Sequence, residues 1–145
     1  MKLVAITLDC PDPLALADFY RQATGFAPHP KSDADFAGLV REDELFIGFQ
    51  RVDDYRPPRW PGQTVPQQLH LCFEVPDLDE AEARLLELGA GKPGHQPHDA
   101  GKARSSRTRP VTPSASAEAD GGVPSLLPRP PSAPGTLLQA GACNC

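Results

Sequence analysis

Aromatic residues are scarce and unevenly placed in this sequence. Nine of the 145 residues are aromatic, and none of them follows Phe73. Residues 101–145 contain seven Pro and no aromatic side chain, so they can bury little apolar surface against the entropy cost of ordering the chain. The composition therefore predicts one folded domain over roughly the first 100 residues, followed by a disordered Pro-rich tail.

Positive charge is also in short supply. The formal net charge is −5, and the tail carries five Lys/Arg against two Asp/Glu, which leaves −8 on residues 1–100. A folded part with this charge is a poor partner for nucleic acid. No apolar run reaches the roughly 18 to 20 residues that cross a bilayer, and the N-terminus lacks the pattern of a secretory signal. We therefore expect a cytoplasmic protein with neither nucleic-acid nor membrane partners.

The cysteines are too few for a disulfide framework, and the common catalytic motifs are missing. Cys10 and Cys72 lie in apolar runs, where free Cys commonly packs as a small hydrophobic residue. Cys143 and Cys145 supply too few fixed ligands for a metal ion, and so do His95 and His98. Gly-rich phosphate loops and nucleophile elbows are absent from the sequence as well.

The sequence does contain an internal repeat. Residues 2–10 predict a strand, residues 12–25 a helix, and three further strands follow at 26–29, 36–41 and 44–52. Beyond a Pro-rich connector, a strand at 68–75 and a helix at 78–88 start the same pattern again. At an offset of 65 residues the copies align Leu8 with Phe73, Cys10 with Val75, Pro11 with Pro76, Asp12 with Asp77 and Tyr20 with Leu85. Such self-similarity indicates a duplicated supersecondary unit.

These elements define the expected organisation of the chain. Residues 1–56 form a first βαβββ module, 57–67 the connector, 68–100 an incomplete second module of βαβ order, and 101–145 the tail. The fold class is α+β, with tandem βαβββ modules that form a curved mixed sheet. The second module lacks its last two strands. The edge that this leaves open makes a homodimer plausible.

Three sequence phrases resemble a known superfamily. They are Leu-Asp-Cys-Pro-Asp at 8–12 with Phe-Tyr at 19–20 and Gly-Phe at 25–26, Phe-Ile-Gly-Phe-Gln-Arg-Val at 46–52, and His-Leu-Cys-Phe-Glu-Val-Pro-Asp at 70–77. On a repeated βαβββ unit, this combination resembles the vicinal oxygen chelate (VOC) superfamily, which includes glyoxalase I, bleomycin-resistance proteins and extradiol dioxygenases. It is most similar to the glyoxalase-like domain subgroup common in actinobacteria, over residues 1 to about 98.

The resemblance also implies where a metal site would lie. Metal-dependent members take ligands from the first and last strand of each module. His70 matches one of these positions, but Ala5 and Gly48 stand at the two positions of the first module, and the fourth falls in the missing strands. One ligand of four does not hold Zn, Ni, Fe or Mn, so no cofactor is expected. His70 remains a candidate general base or hydrogen-bond donor, or else a satisfied histidine on a half-buried strand.

Three further residues are candidates for ligand binding. Gln50 shares a predicted strand face with Gly48, where its amide either contacts a ligand or caps the mouth of the sheet. Tyr55 lies beside the connector and Trp60 lies within it. They either cover an apolar pocket or, for Trp60, pack the connector against the core.

Two functions follow from the resemblance. The first is a glyoxalase-like protein that binds a small apolar or aromatic molecule in the cup of the sheet, as bleomycin-resistance proteins do, without a complete metal site. The alternative is an enzyme, either a metal-dependent glyoxalase-like lyase or isomerase or one of dioxygenase type, that uses His70. A third hypothesis is that the chain, with its truncated second module, is a non-functional product of a disrupted gene.

The codons offer an explanation for the missing strands. Back-translating residues 105–116 and starting each codon one nucleotide earlier permits Val-Leu-Thr-Asp-Pro-Ala-Gly-His-Pro-Phe-Cys-Leu, which resembles the closing phrase of the family. The shifted frame also permits a stop codon across the boundary of Ala117 and Glu118. We hypothesise a frameshift near residues 99–104. The alternative is a natural Pro-rich tail whose agreement with the phrase is accidental.

Overall fold

The computed structural model describes residues 1–67, 69–96 and 103–108, and the backbone of residues 136–141. In chain order the elements are β1 (Ala5–Cys10), α1 (Pro13–Thr24), β2 (Ala27–Pro28), β3 (Phe36–Val40), β4 (Phe46–Arg51), β5 (Leu71–Val75), α2 (Leu78–Glu87), β6 (Ala103–Arg107) and β7 (Thr136–Gly141). Neither of the two helices in these ranges is long and apolar enough to span a membrane.

The first module has the βαβββ order expected from the sequence. Its four strands form one sheet in the order β1-β4-β3-β2. β1 runs parallel to β4, with Leu8 opposite Phe49, while β3 pairs antiparallel with both β4 and β2. The parallel pairing is possible because the chain crosses over through α1 and the β2–β3 hairpin between the two strands. The predicted α+β class and its mixed sheet are confirmed.

Local signals fix the ends of α1. The Asp12 side chain accepts a hydrogen bond from the Ala15 N–H at 3.0 Å, and Pro13 occupies the first turn, where a missing N–H costs nothing. At the other end Gly25 adopts a left-handed conformation with φ of 74° and donates its N–H to the Arg21 carbonyl at 2.8 Å. The sequence predicted both ends of this helix correctly.

The second helix repeats the same start. The Asp77 side chain accepts from the N–H groups of Asp79 and Glu80 at 2.8 and 2.9 Å. These two acidic residues also lie in the first turn, where the helix dipole favours negative charge. The equivalence of Asp12 and Asp77 in the sequence repeat is therefore an equivalence of N-caps.

Tyr20 on α1 joins the two modules. Its ring is 1% exposed, stacks on Phe49 of β4 at 5.5 Å between centroids and lies 6.4 Å from the ring of Phe73 on β5. Around it, the main core consists of buried apolar side chains from the first module and the start of β5: Leu8, Cys10, Leu16, Ala17, Ala37, Leu39, Ile47, Phe49 and Leu71. Burial of this shared cluster is the main stabilising contribution to the fold.

The second sheet departs from the repeat. Its order is β5-β7-β6, and β7 runs antiparallel to β5 where β4 runs parallel to β1. The structure thus differs from the expectation of a wholly disordered tail, because β6 and β7 fall within residues 101–145. β7 supplies hydrogen-bonding groups to the edge of β5, and such edges favour pairing with any extended segment. Apart from Thr108, the rest of the tail lies outside the described residues.

Polar contacts position β6. Gly91 and Arg107 exchange two backbone hydrogen bonds of 2.6 and 2.7 Å. Arg104 on β6 forms an ion pair at 2.9 Å with Glu82, a residue on α2 that is 8% exposed, and another at 2.5 Å with Asp79. This strand is therefore held largely by charge and backbone pairing rather than by apolar burial.

Candidate functional site

β1 has one buried and one exposed side. Leu8 and Cys10 belong to the core that contains the inner side of α1, whereas the alternating residues Ala5, Thr7 and Asp9 are exposed. The side chains of β3 and β4 that share the side of Ala5, Thr7 and Asp9 complete a surface opposite the helices. We call it the open face.

Two glycines and two phenylalanines form the centre of the open face. Gly38 on β3 and Gly48 on β4 are register partners. The rings of Phe36 and Phe46 stack at 6.0 Å with an interplanar angle of 5°. A Cβ built on Gly48 would lie 2.8 Å from the Phe36 ring, and one on Gly38 would overlap the Phe46 ring. The two rings therefore occupy the space that the glycines leave, and we call this pair the aromatic shelf.

The loop before β3 holds the aromatic shelf in place. The His29 ring stands edge-on to Phe46, at 5.4 Å and 89°. The His29 N–H donates to the Gly38 carbonyl at 2.8 Å, and the Ser32 hydroxyl donates to the His29 carbonyl while accepting from the Gly38 N–H. These bonds tie the loop to the strand beneath the shelf. The shelf is thus preorganised.

Polar residues border the aromatic shelf on the β1 side. Asp9 and Gln50 are register partners and both are exposed. Thr7 lies opposite Gly48, and its Oγ1 would be 3.1 Å from a Cβ built there. A molecule lying on the shelf would have hydroxyl, carboxylate and amide groups within reach of its edge.

Comparison with known protein families identifies the family of this chain. A family model for the glyoxalase-like domain matches residues 5–127. The chain belongs to the glyoxalase-like domain family. This confirms the resemblance to the VOC superfamily noted in the sequence. The match continues beyond residue 98, where the resemblance seen in the sequence ends. The frameshift near residues 99–104 stays a prediction.

This glyoxalase-like domain was also compared with curated proteins and with solved structures. No curated protein matches the chain. A solved structure titled "Structure of a possible Glyoxalase from Bacillus cereus" shares 17% identity, with a TM-score of 0.48 over 62% of this chain and 76% of that one.

The metal positions that the resemblance implies carry few donor groups here. Ala5 and Gly48 offer no side-chain donor atoms, and Phe36 covers the space above Gly48. His70 is exposed and precedes β5 rather than lying within it. In the described ranges, no three His, Cys, Asp or Glu side chains gather as a metal site would require. A catalytic role for His70 stays a prediction.

The other predicted site residues separate into two places. Gln50 lies on the open face at the border of the aromatic shelf. Trp60 instead packs against His95, with 4.9 Å between ring centroids, and its carbonyl accepts from Arg107 Nη2 at 3.3 Å. These contacts join the connector to exposed residues of the second module, and both predicted roles of Trp60 stay predictions. Tyr55 lines a cavity within the connector.

The sequence contains a signal for the aromatic shelf beyond the strand pattern. The strand pattern alone predicts only that Phe36 and Phe46 lie in strands. Each begins a Phe-x-Gly triplet, Phe36-Ala37-Gly38 and Phe46-Ile47-Gly48. Because side chains alternate along a strand, each triplet places its ring and its glycine on the same face. Two such triplets on antiparallel neighbours predict that each ring can cover the glycine of the other strand.

A separate cavity lies on the helix side of the sheets. It has a volume of about 330 Å³ and is bounded by α1, β5 and α2, with Tyr20, Phe73 and Leu85 among its walls. Its walls are mainly apolar, and none of its lining residues belongs to the aromatic shelf.

The described groups with perturbed pKa values lie away from the aromatic shelf. A hydrogen bond from Arg41 lowers the pKa of Asp43 to about 2, in the exposed turn between β3 and β4. The hydrogen bond to Asp79, with a smaller contribution from Glu82, raises the pKa of Arg104. These shifts stabilise a turn and the attachment of β6, and neither group supplies acid–base chemistry to the open face.

Substitution of Gly48 tests the packing of the aromatic shelf. We expect Gly48→Ala to lower the free energy of unfolding by about 1 to 3 kcal/mol, because the new Cβ forces the Phe36 ring to move. Gly94→Ala is the matched control, since a Cβ there has nothing within 4 Å, and its cost should be below about 0.5 kcal/mol. Urea unfolding measures both. Equal costs would show that the rings do not lie over Gly48.

Proposed function

We propose that this glyoxalase-like domain binds a small planar apolar or aromatic molecule on the open face of its first sheet, without a metal ion. The observation that carries the proposal is the aromatic shelf. Phe36 and Phe46 are half-buried, so each ring keeps part of its surface available to solvent. Aromatic rings bind other flat apolar groups by stacking and by burial of apolar surface.

Preorganisation supports the same proposal. Two ring-sized side chains on a flexible surface would lose rotamer freedom when a ligand binds, which weakens affinity. Here the rings pack into the space above Gly38 and Gly48, and the His29 ring packs edge-on against Phe46. Both contacts restrict the rotamers of the rings. Much of the entropy cost of ordering the binding surface is therefore met during folding.

The polar residues that border the shelf suggest that the ligand carries a polar substituent at one edge. Asp9 accepts hydrogen bonds when ionised, whereas the amide of Gln50 and the hydroxyl of Thr7 can both donate and accept. All three residues are exposed beside the rings. The ligand we propose carries a polar substituent, such as a hydroxyl, at one edge of an otherwise apolar plane.

A titration with 2-naphthol tests the proposal, because it is a flat bicycle with one hydroxyl. We expect saturable binding, with amide chemical shift changes confined to β1, β3 and β4. Phe36→Leu and Phe46→Leu should each weaken the affinity by about threefold to tenfold, since each removes a stacking surface but keeps an apolar side chain. Isothermal titration calorimetry gives the affinities and heteronuclear NMR the location.

The control variant is Leu14→Ala, an exposed apolar residue on α1. Its affinity for 2-naphthol should equal that of the unmodified chain. Unchanged affinity in both Phe variants would contradict the proposal. Shift changes around Tyr20, Phe73 and Leu85 instead would place the ligand in the cavity on the helix side and would contradict it equally.

A further inference from the structure

A second cavity lies at the connector, and none of its lining residues belongs to the aromatic shelf. The N–H of Arg59 donates to the Val65 carbonyl at 2.8 Å and closes residues 59–65 into a loop. The cavity beside this loop has a volume of about 370 Å³ and is lined by Tyr55, Arg56, Pro57, Arg59, Thr64 and Val65. This volume is in the range of small-molecule sites.

The charge of the cavity is unusual for this chain. The protein carries a net charge of −5, yet two arginines and no acidic residue line the space. Arg51, the third arginine of this region, is paired with Asp35 and Asp53 at 3.6 Å each. Within the described ranges, no ion pair engages Arg56 or Arg59.

The backbone favours a fixed position for the two arginines. Pro57 and Pro58 separate them, and Pro61 follows, so φ is restricted at three of the six residues from 56 to 61. Both arginines are exposed, and their charges are available to a solute. Two guanidinium groups on one stiff segment recognise the oxygens of a carboxylate, since each presents several N–H donors in a plane.

The remaining walls favour an organic rather than an inorganic anion. Tyr55 and Val65 are half-buried and supply apolar surface, and Thr64 adds a hydroxyl. We infer that the connector cavity is a binding site for a small organic carboxylate, with Arg56 and Arg59 on the carboxylate and Tyr55 and Val65 against its apolar body. This site is independent of the aromatic shelf, since no lining residue is shared.

Sodium benzoate is the probe, titrated into the full chain and followed by amide chemical shifts. We expect shift changes centred on residues 55–65 and an affinity that falls as salt is added. Arg56→Gln and Arg59→Gln should each weaken binding by about fivefold, and the double variant should abolish it. Arg21→Gln, which removes an exposed arginine of α1 paired with Asp18, is the matched control and should leave the affinity unchanged.

Two control probes, each lacking one part of benzoate, separate the contribution of the arginines from that of the apolar walls. Benzyl alcohol has the same ring without the charge, and inorganic phosphate has the charge without the ring. We expect both to bind more weakly than benzoate. The inference is overturned if benzoate does not bind, if it binds the Arg56 and Arg59 variants equally well, or if benzyl alcohol binds as tightly. Phosphate binding as tight as benzoate would also overturn it, by showing an anion site without an organic pocket.

Discussion

Replacing residues 105–145 with Val-Leu-Thr-Asp-Pro-Ala-Gly-His-Pro-Phe-Cys-Leu is expected to raise the free energy of unfolding by about 3 kcal/mol. β6 now buries polar side chains, with Ser105 9% and Ser106 3% exposed. The replacement puts Val and Leu at these two positions, and each buried aliphatic side chain contributes about 1.5 to 3 kcal/mol. The melting temperature should rise by roughly 10 °C. Thermal and urea unfolding of the two proteins measure the difference.

The matched control for this replacement is a chain that ends after Thr108. It lacks the tail but gains no apolar strand, and it leaves the edge of β5 without β7. We expect it to be less stable than the full chain and more prone to self-association. If the replaced chain is no more stable than the full chain, the frameshift hypothesis is wrong. The intact mass of the protein made from its own gene gives an independent answer.

The topology of the two sheets explains why this replacement is informative. In the first module β4 returns parallel to β1, and a complete repeat would bring a strand parallel to β5. β7 instead lies antiparallel to β5. The residues that form β7 therefore do not reproduce the connection of the first module. The restored phrase should re-establish the parallel pairing, which inter-strand NOEs would detect.

Local signals made the first module and the start of α2 predictable. Asp12, Gly25 and Asp77 act within a few residues of their partners, so their capping roles can be read without knowledge of the tertiary fold. The strand that contains Leu8 follows from its alternation and from the repeat. The sequence predicted these elements because the interactions that define them are short in range.

Features that depend on pairing between distant residues were not predictable in the same way. The aromatic shelf exists because the register sets Gly38 opposite Gly48, and only then do the rings cover the glycines. The paired residues of β5 and β7 are 61 to 69 positions apart in the sequence, and no local sequence pattern predicts such a pairing. The cavity beside Arg56 and Arg59 likewise depends on how the connector closes on itself.

Phe49→Ala is expected to lower the free energy of unfolding by about 3 to 5 kcal/mol. The Phe49 ring is 0% exposed, stacks on Tyr20 and lies opposite Leu8 and Ala37 in neighbouring strands. Its removal leaves a cavity where α1 and the sheet meet. Urea unfolding followed by the fluorescence of Trp60, the single tryptophan, measures the loss.

Phe46→Ala is the matched comparison, because it removes the same side chain from the same strand but on the open face. Phe46 is half-buried, so its cost should be smaller, about 1 to 2 kcal/mol. The effects on 2-naphthol binding should be reversed: Phe46→Ala weakens it, and Phe49→Ala leaves it within about twofold while the chain remains folded. Equal stability costs would mean that the open face is part of the core, and the aromatic shelf could not then be a binding surface. The expected result is that Phe49→Ala has the larger effect on stability and Phe46→Ala the larger effect on 2-naphthol affinity. That result would show that one side of β4 stabilises the fold and the other side binds the ligand.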